Sequence, residues 1–434
     1  MFVPSHLKNI RTIFIQVLFF SFFFIAFVQA MIFDNRYFPL MQYPYITAPG
    51  KESHITGDFF ITTASRAADD KDRDIGIPEL SGQFDQAQLA YSMQLAGVPL
   101  PLLFPLVLVN GELPWSMMGK LQSQGFAFSY QQYLGYCVSF GVLGLVMRSN
   151  SSIEFFFNST KASGLGPDFS ENDIFLLDDS RRQMLATLGL SCNHVQQVGI
   201  GDIETYGRWC QHYEYCFKLR TLDYGLRFGA LIPTGVKRDI NKPASVPFGG
   251  NGHWGVYTSI DCEAELKEDW KVGFLIRASK RFAKTRLERM PVARAPVKDI
   301  PNPSSEPQIF GVVVGPAQVN PGWSEIFYLY TQWEGIRQGL GVRLQYTLVN
   351  HNRDNWTDER IDKTIPVNLE QIERRSSWAS EYVTLSAFYD FGKTSLWCDN
   401  QPIVRVAWDI PFTLLVGHRF VHSYKVSLGL EFNF

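Results

Sequence analysis

The side chains with the most chemical potential are charged residues that recur at every second position between apolar ones. Arg227, Lys271, Arg277, Arg343 and Arg405 occupy such positions, set against Asp261, Glu263, Glu265, Asp409 and Glu431 on neighbouring segments. Opposite charges spread over many segments either tie those segments together or, where water reaches them, form rings that set solute selectivity. Arg208, His212 and Glu214 share the same period, so an acid–base pair at His212 is conceivable. A salt-bridge ladder accounts for the same residues with fewer assumptions. Asp70, Asp72 and Asp74 look like the start of a calcium loop. However, Gly76 comes one position late and Ser81 stands where a bidentate Glu belongs, so the segment reads as a solvated acidic loop. Gly249-Gly250-Asn251-Gly252 lacks the lysine and helix of a phosphate cradle and reads as a turn. The six cysteines show no CxxC spacing. Cys210 and Cys216, on one extended segment, would lie roughly 20 Å apart, beyond disulfide reach. No metal or cofactor is expected.

A period of two requires strands. Tyr424, Val426, Leu428, Leu430, Phe432 and Phe434 fall on one face of the last segment, with Lys425, Ser427, Gly429, Glu431 and Asn433 on the other. The same alternation recurs in Val404–Val416, Val383–Phe391, Leu340–Leu348, Trp270–Ser279, Trp254–Leu266 and Tyr224–Ile232. Consecutive segments of this kind make a sheet whose faces meet different solvents. Aromatics form 15% and charged residues 19% of the 434-residue chain, and the net charge is -2. That balance gives no electrostatic basis for nucleic-acid binding. Lys8 and Arg11 precede an apolar run, Ile13–Val28, that ends in Val28-Gln29-Ala30, so residues 1–30 read as an export signal cleaved after Ala30. With no second such run, any membrane crossing must use strands.

On the lipid side a charge costs about 2–4 kcal/mol near the midplane, so the charged face must turn inward. Trp254, Trp270, Trp323 and Trp333 sit near segment ends, where aromatic girdles meet headgroups. The terminal strand resembles the assembly signal of bacterial outer-membrane proteins, an amphipathic strand closing on Phe. The resemblance implies recognition of Tyr424, Leu428, Leu430, Phe432 and Phe434 by barrel-assembly machinery, and outer-membrane lipids around the barrel. A last strand that ends in the periplasm places short turns near Gly335–Arg337, Lys267–Glu268 and Lys218 on that side. The long connections at about 351–376, 284–322, 233–251 and 161–202 then lie outside. This parity requires Ile309–Val314 to belong to a loop folded at the mouth, and it leaves an unusually short outer turn near His418–Arg419. Phe126–Tyr130, Tyr136–Val146, Ile153–Phe157 and 205–217 add strands, the last with Trp209, Tyr213, Tyr215 and Phe217 outward. Phe59–Thr63 could add one more.

The expectation is all-β: an antiparallel transmembrane barrel of about 12–14 strands over 120–434. It is preceded by a 31–119 extension, a possible plug or periplasmic segment, with a possible first strand at 53–64. A short loop helix is expected after Ser180, ending at Gly189. Leu226-Arg-Phe-Gly-Ala-Leu-Ile-Pro-Thr-Gly235 and Phe248-Gly-Gly-Asn-Gly-His-Trp254 resemble a strand-end motif of outer-membrane channels for long-chain fatty acids and aromatic hydrocarbons. The resemblance spans about 203–283 and the closing strand, and it implies a channel fold with an N-terminal plug. The charged inner face argues against a greasy path, which favours a separate porin-like family that passes small solutes passively and is not an enzyme. The alternatives are a lipase- or protease-type barrel enzyme working through His212, although the His-x-Ser arrangement of the phospholipase family is absent, and a surface adhesion barrel working through its outer loops.

Overall fold

The computed structural model describes residues 35–41, 53–102, 104–105, 108–109, 111–135, 137–159, 162, 170–215, 219–293, 309–393 and 402–434. The expected export signal, Cys216, Phe217, Lys218 and Cys398 lie outside them. Among the described residues, twelve antiparallel strands close into a barrel. They are β1 (His54–Ala64), β2 (Pro114–Gly135), β3 (Val138–Phe157), β4 (Ile203–Glu214), β5 (Thr221–Ile232), β6 (Gly255–Lys267), β7 (Trp270–Arg281), β8 (Trp323–Arg337), β9 (Leu340–His351), β10 (Trp378–Asp390), β11 (Ile403–Pro411) and β12 (Tyr424–Asn433). Each pairs with its neighbour in sequence, and β1 returns to β12 with Phe59 opposite Leu428. Phe434 adds to the seam by exchanging backbone hydrogen bonds with Ser53 at 2.9 and 3.0 Å.

Ile55, Phe59, Ile61, Phe228, Ile260, Ile276, Leu344, Val406, Val426 and Leu428 all point outward and are exposed, forming an apolar belt. The intervening residues point inward and are mostly buried. Such a surface is stable only against lipid, and closure leaves no unpaired edge within it. Trp270 and Trp333 sit opposite each other at the end of the barrel bearing the short turns, while Trp254 and Trp323 lie at the end bearing the long loops. The turns β6–β7 and β8–β9 use Asp269 (φ 64°) and Gly339 (φ 79°) at positions that need a left-handed backbone.

Several segments differ from the sequence-based expectation. The three short strands expected between 126 and 157 are two long ones, β2 and β3. The polar run Ser149–Ser152 looks like a turn, but it stands above the belt and pairs with His194–Ile200. β11 stops at Pro411 rather than Val416, because the Glu381 carboxylate accepts the backbone N–H groups of Leu414, Leu415, Val416 and Gly417. The helix expected from Ser180 starts at Glu171. Asp173 accepts both the N–H and the hydroxyl of Ser170 at its start, and Ser180 is buried mid-helix. The strand Val313–Asn320 lies between Lys284–Met290 and Asn355–Asp358 in a separate three-stranded sheet among the long loops, so it is not part of the wall.

The stretch 31–119 divides into parts. β1 and the start of β2 are wall. Between them, helix α1 (Gln86–Leu95) packs through Leu89 and Met93 against Leu177, Met184 and Leu185 of α2 (Glu171–Thr187), forming a cap at the loop end. A third short helix, α3 (Leu369–Arg374), lies in the loop between β9 and β10. Residues 35–41 lie inside the barrel, where Phe38 and Met41 are buried in one cluster with Tyr206, Tyr257, Tyr328 and Tyr330.

Three inward tyrosines, Tyr206, Tyr257 and Tyr330, lie over Gly141, Gly229 and Gly273 of adjacent strands. A Cβ on Gly273 would sit 2.4 Å from the Tyr330 ring. Gly273→Val should therefore destabilise the barrel by about 1–3 kcal/mol, as overpacking does. The check is the urea midpoint of refolded protein, which should fall, whereas Val at outward Ala278 should leave it unchanged.

Candidate functional site

The interior is built by the alternation itself, whose inward positions carry charges, amides and phenols interspersed with apolar side chains such as Phe60, Leu121, Leu231 and Leu275. Asp261 on β6 takes Arg208 of β4 at 2.6 Å and Arg227 of β5 at 3.1 Å, all three buried. The Arg227 guanidinium also lies 5.2 Å from the Tyr206 ring centre. Arg277 on β7 meets Glu204 of β4 at 2.9 Å and stacks on Tyr257, whose hydroxyl donates to the same Glu204. Glu263 accepts the Tyr330 hydroxyl, and Arg343 lies over that ring and donates to Gln332 at 2.8 Å. Over Gly429 of β12, Arg405 of β11 reaches Asp58 of β1 at 2.7 Å, and between adjacent strands Asp409 pairs with Lys425 at 2.7 Å and accepts from Thr384. Toward the turn end Lys271 meets Glu334 at 2.8 Å, and Arg220 sits 3.5 Å from Glu265. Glu431 is buried on the inner face of β12.

Of the expected charged set, Arg227 and Asp261 come together directly. Most of the other partners lie outside that set, namely Glu204, Asp58 and Glu334, together with Lys425, which the alternation already places on the inner face of the last strand. Asp58 was open to discovery, since Phe59 and Ile61 on the outward face put it inside. Glu204 and Asp202 follow a loop-like stretch in which a strand was not apparent before 205. His212 faces Asp223 at 2.7 Å, with Glu214 at 3.6 Å. Among the described residues no hydroxyl or thiol hydrogen-bonds to its ring. The acidic loop is paired, Asp69 with Arg73 and Asp74 with Arg66 locally, and Asp70 with Arg419 of the β11–β12 connection.

The segment 35–41 is held at both ends. Lys425 donates to the Leu40 carbonyl at 2.6 Å, Ser423 to the Tyr37 carbonyl at 2.6 Å, and Asn35 to the Pro247 carbonyl at 2.6 Å. Together with the ion pairs it fills the lumen at this level.

Above it, the motif read from Pro233-Thr-Gly235 to Trp254 organises the mouth around a residue outside the motif. Buried Asp202, in the break between His194–Ile200 and β4, accepts the N–H of Gly235 at 3.1 Å and of Gly250 at 2.7 Å, and pairs with Arg281 at 2.9 Å. A Cβ on Gly249 would lie 2.4 Å from its carboxyl carbon, so the glycines serve close approach as well as a turn. Between these loops and the three-stranded sheet lies a cavity of about 250 Å³, into which Arg36, Arg238, Arg281, Arg286, Arg289 and Arg375 project.

His253, beside the cavity, is buried, and the site fixes its neutral tautomer. Nδ1 donates to the Phe282 carbonyl at 2.9 Å, and Nε2 accepts from Arg286 at 3.3 Å. Burial, and then the nearby Arg286 and Arg281, depress its pKa from 6.5 to about 4. The unfolded loop therefore binds the proton more readily, so stability conferred by neutral His253 is present above about 6.5 and is lost as pH falls toward 4.

No protein-family model and no curated protein matches the sequence. Among solved structures, an outer-membrane channel from Pseudomonas putida F1 matches at 9% identity over 91% of this chain and 100% of its own, with a TM-score of 0.46. A fatty-acid-channel (FadL) homologue from Pseudomonas aeruginosa matches at 8% identity over 88% and 90%, with a TM-score of 0.28. The transport unit of the autotransporter AIDA-I from Escherichia coli matches at 5% over 90% and 93%, with a TM-score of 0.33. The barrel assignment rests on this chain's own strand pairing.

Two outcomes follow. Asp261→Asn strands Arg208 and Arg227 and should cost about 3–5 kcal/mol of stability, read from urea unfolding, with part recovered in Asp261→Asn/Arg227→Gln. Hydrogen exchange at Gly250–Trp254 should accelerate between pH 6.5 and 4.5 beyond its intrinsic pH dependence, and His253→Gln should abolish that excess.

Proposed function

We propose that the protein is an outer-membrane, porin-like channel that passes small polar solutes passively. The observation that carries this reading is the pairing of an apolar outer belt with a closed, charged and hydroxyl-rich interior. The ion pairs and hydroxyls of such an interior are compatible with water and ions. In this reading the export signal directs the chain to the envelope. The strand ending at Phe434 engages the assembly machinery, and the long loops face outward. Twelve strands enclose a lumen too narrow for an open porin but wide enough for a plugged path. Because residues 35–41 and the ion pairs fill that lumen, conduction requires the segment to leave its contacts with Lys425, Ser423 and Pro247.

Planar-bilayer recording of refolded protein tests this. The full chain should give small, infrequent conductance steps, and deletion of 35–41 should raise open probability at least severalfold without loss of heat-modifiable barrel. Electrical silence from both well-folded proteins would overturn the reading.

A further inference from the structure

The six arginines of the loop-end cavity come from five separate parts of the chain: the lumen segment, the β5–β6 loop, the end of β7, the three-stranded sheet and the residues after α3. No local run of basic sequence brings them together; the fold does. Among the described residues, two acids line the cavity, and both are engaged. Glu288 takes Arg286 at 2.6 Å, and Asp354 takes His351 at 2.9 Å and the Gly322 N–H at 2.8 Å. Arg281 is matched by Asp202.

The remaining cations are less well matched. Arg36 donates to the Leu80 and Arg375 carbonyls and to the Ser81 hydroxyl. Arg289 donates to the carbonyls of Leu188, Ile240 and Gly311 and to Asn241. Among the described residues, the Arg238 side chain makes no hydrogen bond, and Arg36, Arg238 and Arg289 have no carboxylate within ion-pair distance. Neutral carbonyls orient guanidinium groups without cancelling their charge, so the cavity keeps a positive field that a bound anion would relieve. Nearby groups register that field. Although burial raises the Tyr37 pKa, Arg36 and Arg238 bring it down to about 8, and burial followed by Arg419 and Arg36 lowers Arg375 to about 10.

The walls are aromatic. Tyr37, Phe310, Trp356 and Trp378 line the same space. Planar guanidinium forks match carboxylates in two-pronged fashion, and ring faces accept a flat apolar body. A volume of about 250 Å³ is below the roughly 300–1,000 Å³ of pockets for drug-sized ligands. It limits the occupant to about one ring with its charged group.

We propose that this vestibule is a binding site for small aromatic carboxylates. The inference deepens the channel reading by naming a solute class, and it rests on that reading only for the step from binding to passage.

The test uses full-length refolded protein in detergent, with benzoate as the probe in calorimetric titration. Benzoate should bind saturably at one site per chain. Benzyl alcohol, which has the ring without the charge, and inorganic phosphate, which has the charge without the ring, should each bind at least tenfold more weakly. Arg238→Gln should weaken benzoate about tenfold, the worth of one charge-assisted hydrogen bond. Among the described residues the Arg238 side chain makes no hydrogen bond, so folding should survive, as heat-modifiability would confirm. In the unaltered protein, affinity should fall as salt rises. Absence of saturable benzoate binding, equal binding of either control, or indifference to salt and to Arg238→Gln would overturn the proposal. Conductance of the same preparation separates the two readings. Binding without conductance would sink the channel and leave the site; conductance without binding would do the reverse.

Discussion

A backbone N–H or C=O in hydrocarbon has no partner except another strand, and each one left open costs several kcal/mol. For this chain that constraint is met at the seam where β1 meets β12. Without the seam the other pairings would leave two edges facing lipid. With it, every wall strand has two neighbours, and residue alternation becomes an inside and an outside. The rest of the structure follows from that division.

Once the belt is apolar, the charges have one place to go, and in so narrow a barrel they cannot all be hydrated. They are neutralised by one another along the inner wall instead. Arg208, Arg227 and Asp261 join three adjacent strands, Arg277 and Glu204 skip from β7 to β4, and Arg405 crosses to Asp58. Tyr206, Tyr257 and Tyr330 settle over glycines, where a Cβ would collide with the ring. Removing one member of such a group leaves a buried charge, which is why the interior behaves as one unit. The mouth is different. There the arginines outnumber the acids, and the fold holds like charges close together around a cavity, an arrangement that serves a ligand better than it serves stability.

The wall strands from Thr221 onward were legible in the sequence because lipid and lumen impose opposite demands on successive residues. Loop parity likewise set Ile309–Val314 apart from the wall. Legibility failed where the lipid constraint lapses. Above the belt, Ser149–Ser152 obeys no alternation although it is strand, and past Pro411 the apolar residues Phe412, Leu414 and Val416 continue the pattern although they are not. In the second case a single distant carboxylate, Glu381, decides the backbone, and no local spacing reveals it. The vestibule was hidden for the same reason: Arg36, Arg238, Arg289 and Arg375 are unremarkable in their own segments and acquire meaning only when five parts of the chain converge. Asp202, which organises the Gly235 and Gly250 turns, sits outside the motif it serves.

The central claim is a closed barrel whose first strand, β1, pairs with its last in one register. Cysteines at Ile61 and Val426, which face each other across the seam, test it directly in the folded membrane-inserted protein. The account predicts a cross-link between these two positions, identified by mass spectrometry. A link formed instead between Ile61→Cys and Leu428→Cys, or none at either pairing, would contradict it.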